Sequence, residues 1–152
     1  MRANPAPGAM SDLRPEVDIA ELDRRSRGHF PGMMGVEMVA LEERKLSMRL
    51  TLRGEHLAPN GFLHAAVVIA LADTACGYGT AAHLPQGASS FTTIELKSNF
   101  LGTAREGAIA CDAVAAHMGR STQVWDAEVR NEASAQRIAL FRCTQIILWP
   151  KG

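Results

Sequence analysis

The chain has 152 residues, of which 16 are basic and 16 acidic, so its formal net charge at pH 7 is zero. A chain of this length predicts one domain that can bury a sizeable core. The balanced charge argues against sequence-independent nucleic-acid binding, because neutralising phosphates needs a surplus of Lys and Arg on one face.

The N-terminal region divides into two predicted segments. Residues 1–11 (MRANPAPGAMS) contain Pro and Gly but no apolar h-region, so they predict a disordered lead-in rather than a signal peptide. Residues 12–152 are expected to form the single domain. The domain begins with a predicted amphipathic helix that has Ser11 or Asp12 as N-cap, Pro15 in its first turn and Gly28 after its end. The segment FPGMMG then interrupts the helical pattern.

Residues 36–53 predict a β-hairpin, because the second arm alternates apolar and polar side chains. Its predicted inward residues are Leu46, Met48, Leu50 and Leu52. The segment GEHLAPNGF (54–62) predicts a loop from its Gly, Pro and Asn content.

A long apolar segment from about His64 to Leu84 predicts one central helix, about 31 Å long. Because it is apolar nearly all round, we expect it to be buried on most sides. A membrane span is disfavoured, since Asp73 lies in the middle of the segment. Four strands follow, at about 91–101, 108–117, 122–130 and 138–148. This order predicts an α+β fold in which an antiparallel sheet curls around one long central helix.

Asp73 is the unusual residue of the central helix, because a buried carboxylate without partners costs several kcal/mol. In the structural interpretation, its side chain bonds a nearby hydroxyl or loop amide, or caps a local break. In the catalytic interpretation, Gly77 and Gly79 allow close approach to that flank. The free N–H groups of Ala65 and Ala66 at the helix start are then candidate oxyanion donors.

Helix geometry constrains the catalytic interpretation. His64 and Asp73 are nine residues apart, which places them on opposite faces of a helix and roughly 13 Å apart along its axis. One helix therefore cannot bring its own N-terminus and its own Asp73 to the same substrate atom. If both belong to one site, the protein is an oligomer with the active site across a subunit interface.

Three segments in order resemble the hotdog-fold acyl-CoA thioesterases of the phenylacetate-pathway (PaaI-like) type. They are NGFLHAAVVIALADTACGYG (60–79), TTIELKSNFLGTAREG (92–107) and HMGRST (117–122). The resemblance covers about residues 35–148. It implies a hotdog fold, a homodimer often assembled into a homotetramer, an acyl-CoA thioester substrate, and no metal or organic cofactor.

The resemblance also implies roles for individual residues. Asp73 matches the family's acidic catalytic residue, which acts as nucleophile or as general base for water. The N–H of Ala65, which follows His64, matches the oxyanion donor from the partner subunit. Thr93 matches a hydroxyl that helps to orient the attacking water. A region that family members use near the CoA moiety matches Gly119, Arg120 and Ser121.

The chain departs from the family pattern at three places. Ala65-Ala66 stands where Gly-Gly is usual after the His, and the two methyl groups narrow the approach to the donor N–H. Ala58 stands where many members have an amide that binds the thioester carbonyl, and the nearest amide is Asn60. Gly102-Thr103 stands where Arg-Pro is common, and this difference is expected to alter the nucleotide end of the groove that binds CoA.

These departures leave a second hypothesis, a non-catalytic hotdog domain that binds acyl-CoA as a sensor or carrier. The buried Asp73 argues against it, since a binding pocket gains nothing from a carboxylate. A hydratase is a third option, but its arrangement of His and acid is not found. The role of His64 also stays open between ordering the helix start and transferring a proton.

The remaining His and Cys residues predict no metal or redox site. The residues His29, His56, His83 and His117 have no metal-ligand spacing and are expected at the surface or at strand ends. Cys76, Cys111 and Cys143 lie in apolar segments without a Cys-x-x-Cys motif, which favours buried thiols in a reducing cytoplasm. Arg105, Arg120 and Arg137 are cations that could contact CoA phosphates.

Overall fold

The computed structural model describes residues 12–151, so the predicted lead-in 1–11 lies outside the described residues. Its elements in chain order are α1 (Ile19–Ser26), α2 (Phe30–Met34), β1 (Val36–Glu42), β2 (Lys45–Thr51), α3 (Ala65–Ala82), β3 (Ser90–Phe100), β4 (Ala108–Met118), β5 (Thr122–Asn131) and β6 (Arg137–Leu148). The six strands form one antiparallel sheet in the order β1-β2-β4-β5-β6-β3. The sheet curls around α3, which contacts five of the strands. The predicted α+β hotdog fold is confirmed.

The central helix α3 is the core of the fold. Of its 18 residues, 11 are buried, as the apolar pattern predicts. It is long and apolar enough to cross a membrane, but most of it is buried by the surrounding protein, as expected of a core helix. Gly79 permits its close packing on β5, since a Cβ there would lie 2.7 Å from the Trp125 ring. Gly77 is less constrained, because a Cβ would lie 3.6 Å from the Phe91 ring.

The N-terminal helix begins later than predicted. Its N-cap is Asp18, whose carboxylate accepts a hydrogen bond from the Glu21 N–H at 2.8 Å. Asp12 is not a cap, because its carboxylate instead binds the Arg44 side chain at 2.6 Å, and Pro15 lies in a turn before the helix. Ser11, the other predicted cap, lies outside the described residues. The predicted interruption at FPGMMG forms the one-turn helix α2, which ends at Gly35 with φ 81°.

The inner face of the sheet carries the side chains that alternation predicts for β2, where Leu46, Met48 and Leu50 are buried against α3. On β5 the residues 123, 125, 127 and 129 are buried in the same way. Leu52, beyond the end of β2, is half-buried. The two glutamines of the inner face, Gln123 on β5 and Gln145 on β6, are also fully enclosed.

Strand β3 lies at one edge of the sheet and is open to solvent. It pairs with β6 on one side and with no described strand on the other. None of its residues is buried, and its apolar side chains remain exposed: Ile94 by 57%, Leu96 by 41% and Phe100 by 45%. Since an apolar edge strand with free backbone groups is prone to pair with another chain, this edge is a candidate interface.

Candidate active site

The start of α3 offers one free backbone donor. His64 is the N-cap, and its Nδ1 accepts a hydrogen bond from the Ala66 N–H at 3.0 Å. The next two N–H groups, of Val67 and Val68, bind the His64 carbonyl. The exposed Ala65 N–H has no acceptor among the described residues. Of the two predicted oxyanion donors, Ala66 is therefore already used, and Ala65 remains at the positive end of the helix.

The loop before α3 is held in one conformation by its own hydrogen bonds. Asn60 Oδ1 accepts a bond from the Phe62 N–H at 3.2 Å, and the Phe62 carbonyl accepts one from the Ala58 N–H at 2.7 Å. The Leu63 N–H donates to Thr103 Oγ1 at 3.2 Å. Thr103, one of the departures from the family pattern, thus anchors this loop. The exposed side-chain NH₂ of Asn60 has no acceptor among residues 12–151 and remains available to a ligand.

Asp73 is half-buried within α3, and its Oδ1 is fully enclosed. No described residue donates a hydrogen bond to that oxygen. Burial raises the pKa of the Asp73 carboxyl, because desolvation penalises the charged form. The structural interpretation of Asp73 required a hydroxyl or amide partner, or a local break to cap. No such partner is found in the part of the chain that the structure describes, and α3 is continuous through Asp73.

Thr93 lies on the half of β3 that passes α3. The ring of Phe91, two residues earlier, faces α3, since a Cβ at Gly77 would lie 3.6 Å from it, and Gly77 is one helical turn after Asp73. Thr93 and Asp73 therefore lie on two elements that contact each other, β3 and α3. Its hydroxyl donates to Gln145 Oε1 at 2.8 Å. Sequence reasoning missed Gln145, although a Gln at an inward position of β6 is a detectable irregularity.

The turn between β4 and β5 carries the predicted CoA-contacting residues. Gly119 and Arg120 line a cavity of about 850 Å³ at the C-terminal end of α3, together with Arg14 and Arg44. The Arg120 guanidinium lies over the Trp149 ring, 4.2 Å from its centre. Ser121, the third predicted residue, binds the Ile147 N–H through its carbonyl at 2.9 Å.

The other two predicted phosphate-binding cations lie apart from this cavity. The Arg105 guanidinium lies over the Phe62 ring at 4.8 Å, close to the loop before α3. Arg137 forms an ion pair with Glu128 at 3.1 Å and is therefore less available to a ligand.

Two histidines expected at the surface or at strand ends are buried. Each is about 2% exposed. His83 receives a bond from the Arg44 N–H at 2.8 Å, and His56 receives one from the Arg53 N–H at 3.1 Å. Burial lowers the pKa of both imidazoles. Both rings are buried because each one accepts a hydrogen bond from a backbone N–H inside the fold. Among residues 12–151, no three His, Cys, Asp or Glu side chains are grouped to hold a metal ion.

The predicted catalytic residues form two groups within one protomer. Asn60, His64 and Ala65 lie at the N-terminal end of α3. Asp73 lies in the middle of α3, and Thr93 lies on β3, which contacts α3. Because α3 is continuous from Ala65 to Ala82, the eight residues from Ala65 to Asp73 span about 12 Å along its axis. A single protomer therefore does not bring the Ala65 N–H and the Asp73 carboxylate to one atom.

Comparison with known proteins gives one consistent family. The family model of the thioesterase superfamily matches residues 60–137. The 1,4-dihydroxy-2-naphthoyl-CoA hydrolase of Listeria monocytogenes is 31% identical over 111 residues, which are 73% of this chain and 89% of that protein.

Solved structures have the same fold. A mutant of thioesterase PA1618 from Pseudomonas aeruginosa matches with a TM-score of 0.84 and 22% identity, over 91% of this chain and 99% of that one. The PaaI protein of the E. coli phenylacetic acid degradation operon matches with a TM-score of 0.74 and 22% identity, over 83% of this chain and 88% of that one.

Proposed function

The chain belongs to the thioesterase superfamily and is a thioester hydrolase, and we propose that it hydrolyses acyl-CoA thioesters at a site shared by two protomers. The observation that carries this proposal is the enclosed, unpartnered carboxylate oxygen of Asp73. A buried polar atom without a partner costs stability and needs an explanation, and a catalytic acid or base provides one.

In the proposed reaction, the thioester carbonyl oxygen accepts a hydrogen bond from the Ala65 N–H of one protomer. This donor stabilises the negative charge that develops on that oxygen, and one such donor is worth about 2.7–4 kcal/mol. As general base, Asp73 of the other protomer takes a proton from water, and the resulting hydroxide attacks the carbonyl carbon. The carbon–sulfur bond then breaks, and the CoA thiolate takes the proton from Asp73. As nucleophile, Asp73 would instead attack directly and form an acyl-enzyme anhydride that water hydrolyses.

Strand β3 supports the shared site, because it offers an edge through which two copies can pair. A two-fold axis at this edge would place the same exposed side chains of both copies, Ile94 and Leu96 among them, against each other. Such pairing would satisfy the free backbone groups of the edge and remove apolar surface from water. It would also bring the two copies of α3, which flank β3, into proximity.

The nucleotide end of the substrate is assigned to the cavity beside Arg120. Its guanidinium lies over the Trp149 ring and forms no ion pair with a described carboxylate, so it is free to bind a phosphate. The other two arginines of this cavity are already paired with carboxylates of its lining: Arg14 with Glu16 and Arg44 with Asp12.

The test is steady-state release of CoA from a panel of short, medium and aromatic acyl-CoA esters. The panel includes 1,4-dihydroxy-2-naphthoyl-CoA, the ester that the name of the Listeria relative specifies. Asp73→Asn keeps the shape of the side chain and removes its charge, so we expect kcat to fall by about 10² or more.

Asp126→Asn is the matched control, because Asp126 binds Arg142 on the exposed face of the sheet. It should retain the parent's turnover. Saturable binding of acyl-CoA without turnover by the parent would contradict the proposal and identify a binding protein.

A further inference from the structure

Three polar residues form a row across the inner face of the sheet. Gln123 on β5 lies directly opposite Gln145 on β6, which lies directly opposite Thr93 on β3. Both glutamines are fully buried, whereas Thr93 is half-buried. A buried amide costs stability unless its polar atoms are bonded, so each glutamine needs a partner.

Gln123 is explained by the architecture alone. Its Nε2 donates to the His83 carbonyl at 2.9 Å, and its Oε1 accepts from the Trp125 ring N–H at 3.0 Å. It therefore ties the C-terminal end of α3 to the sheet. Both polar atoms of its amide therefore have a partner in the interior.

Gln145 differs, because its carbonyl is directed at a side chain of the candidate active site. Its Oε1 accepts the Thr93 hydroxyl proton at 2.8 Å, and its Nε2 lies 3.4 Å from the Cys143 sulfur. Cys143 and Cys76, the latter one turn of α3 after Asp73, both belong to the buried core. Burial raises the pKa of the Cys76 thiol, with further contributions from Cys143 and from the Asp73 charge. Gln145 therefore joins the Thr93 hydroxyl to the buried interior of the sheet.

A hydroxyl has one proton and two lone pairs. Because Gln145 Oε1 takes the proton, the Thr93 oxygen presents only lone pairs to its remaining neighbours. The carboxylate of Asp73 likewise only accepts hydrogen bonds when ionised. A water molecule between the two would therefore give one proton to each and direct an oxygen lone pair away from both.

We propose that Gln145 is a positioning residue that fixes the Thr93 hydroxyl as an acceptor, so that Thr93 and Asp73 together orient the attacking water. This inference rests on the proposed function. Gln145 has its effect through Thr93 alone. Loss of its carbonyl lets the hydroxyl rotate, so that it presents its proton instead of a lone pair to the water and no longer accepts the water's proton.

The experiment measures kcat and KM for acyl-CoA hydrolysis in four variants and the parent. Gln145→Met is close in size and removes the acceptor, and we expect kcat to fall about tenfold with KM within about twofold. Gln145→Glu keeps a carbonyl acceptor, because burial favours its neutral form, and kcat should stay within about threefold of the parent. Thr93→Val should lose at least as much as Gln145→Met. The double variant Thr93→Val/Gln145→Met should lose no more than Thr93→Val alone, since the second change acts only through the first.

Thr144→Val is the control for disturbance of the same strand. Thr144 points to the outer face, where its hydroxyl lies 3.5 Å from a Glu95 oxygen, and its removal should leave kcat unchanged. Melting temperatures of all variants separate loss of folded protein from loss of turnover.

Three results would overturn the inference: parent kcat in Gln145→Met, equal losses in the Met and Glu variants, or additive losses in the double variant. Each leaves the proposed function intact if Asp73→Asn remains inactive. A parent protein that hydrolyses no acyl-CoA would overturn both this inference and the proposed function.

Discussion

His64 Nδ1 accepts a hydrogen bond from the Ala66 N–H at 3.0 Å, and this contact makes His64 the N-cap of α3. A nitrogen that accepts this bond carries no proton, so the proton of the neutral ring lies on Nε2. The contact supports the role in which His64 orders the helix start. His64 also lies on the chain segment fixed by the bond from its own N–H to the His56 carbonyl at 3.0 Å.

The first prediction concerns this cap. His64→Ala removes the acceptor for Ala66 and should lower stability by about 0.5–2 kcal/mol, as measured by chemical denaturation. His64→Asn supplies another side-chain acceptor at the N-cap and should retain most of the stability and of kcat. Equal loss of kcat in both variants, with stability retained in His64→Asn, would instead assign proton transfer to His64.

The second prediction isolates the Ala65 donor. Ala65→Pro removes a single N–H at the first position of the helix, where Pro is well tolerated, and His64 already has the extended conformation that precedes Pro. We expect kcat to fall by about 10²–10³ without loss of stability, because one oxyanion donor is lost. A variant with unchanged kcat would remove Ala65 from the site.

The same variant tests whether the site is shared. Ala65→Pro and Asp73→Asn protomers are each expected to be nearly inactive alone. When they are mixed and exchanged, each heterodimer contains one intact site, made of Ala65 from one chain and Asp73 from the other. Random exchange should restore about a quarter of the parent activity. No recovery, with exchange verified by a mass label, would place both residues in one protomer's site.

The third prediction concerns pH. Since burial raises the pKa of Asp73 in the folded state, the folded protein holds this proton more tightly than the unfolded chain does. Stability from this group is therefore fully present below the unfolded pKa and is lost as pH rises through the raised folded pKa. Asp73→Asn removes this pH-dependent loss.

The parent and Asp73→Asn should have the same Tm at acidic pH. At neutral pH the Tm of Asp73→Asn should be higher, by about 2–4 °C for each 1 kcal/mol of stability gained. The parent kcat/KM should rise with pH over the same window, because the ionised carboxylate is the reactive form. Identical melting curves at every pH would show that burial of Asp73 carries no cost.

The fourth prediction concerns the two edges of the sheet. Ile94 on β3 is 57% exposed and Val39 on β1, at the opposite edge, is 52% exposed, so Asp at either position costs a protomer little. Ile94→Asp should dissociate the dimer and abolish turnover, since like charges would meet at the two-fold axis. Val39→Asp should preserve both the dimer and the turnover. Light scattering measures the mass, and a dimeric Ile94→Asp variant would exclude β3 as the interface.

Periodicity in the sequence predicted the central helix and the six strands of the described sheet. Alternation along 46–50 assigned the correct inward side chains of β2, and the apolar run around Asp73 predicted a core helix. These features depend only on local repeat lengths, 2 for a strand and 3.6 for a helix. The same reasoning misplaced the first helix, because Asp12 forms an ion pair with Arg44, 32 residues away.

The family spacing likewise selected Asp73, Ala65 and Thr93 as candidate site residues, and the tertiary structure determined which contacts each one makes. The bond from Ala66 to His64 left Ala65 as the free donor. The partner of Thr93 is Gln145, 52 residues along the chain, and only the register of β3 on β6 makes them neighbours. A repeat length determines which face a side chain occupies but not which residue lies opposite. Pairing across strands is therefore fixed only when the whole sheet has formed around α3.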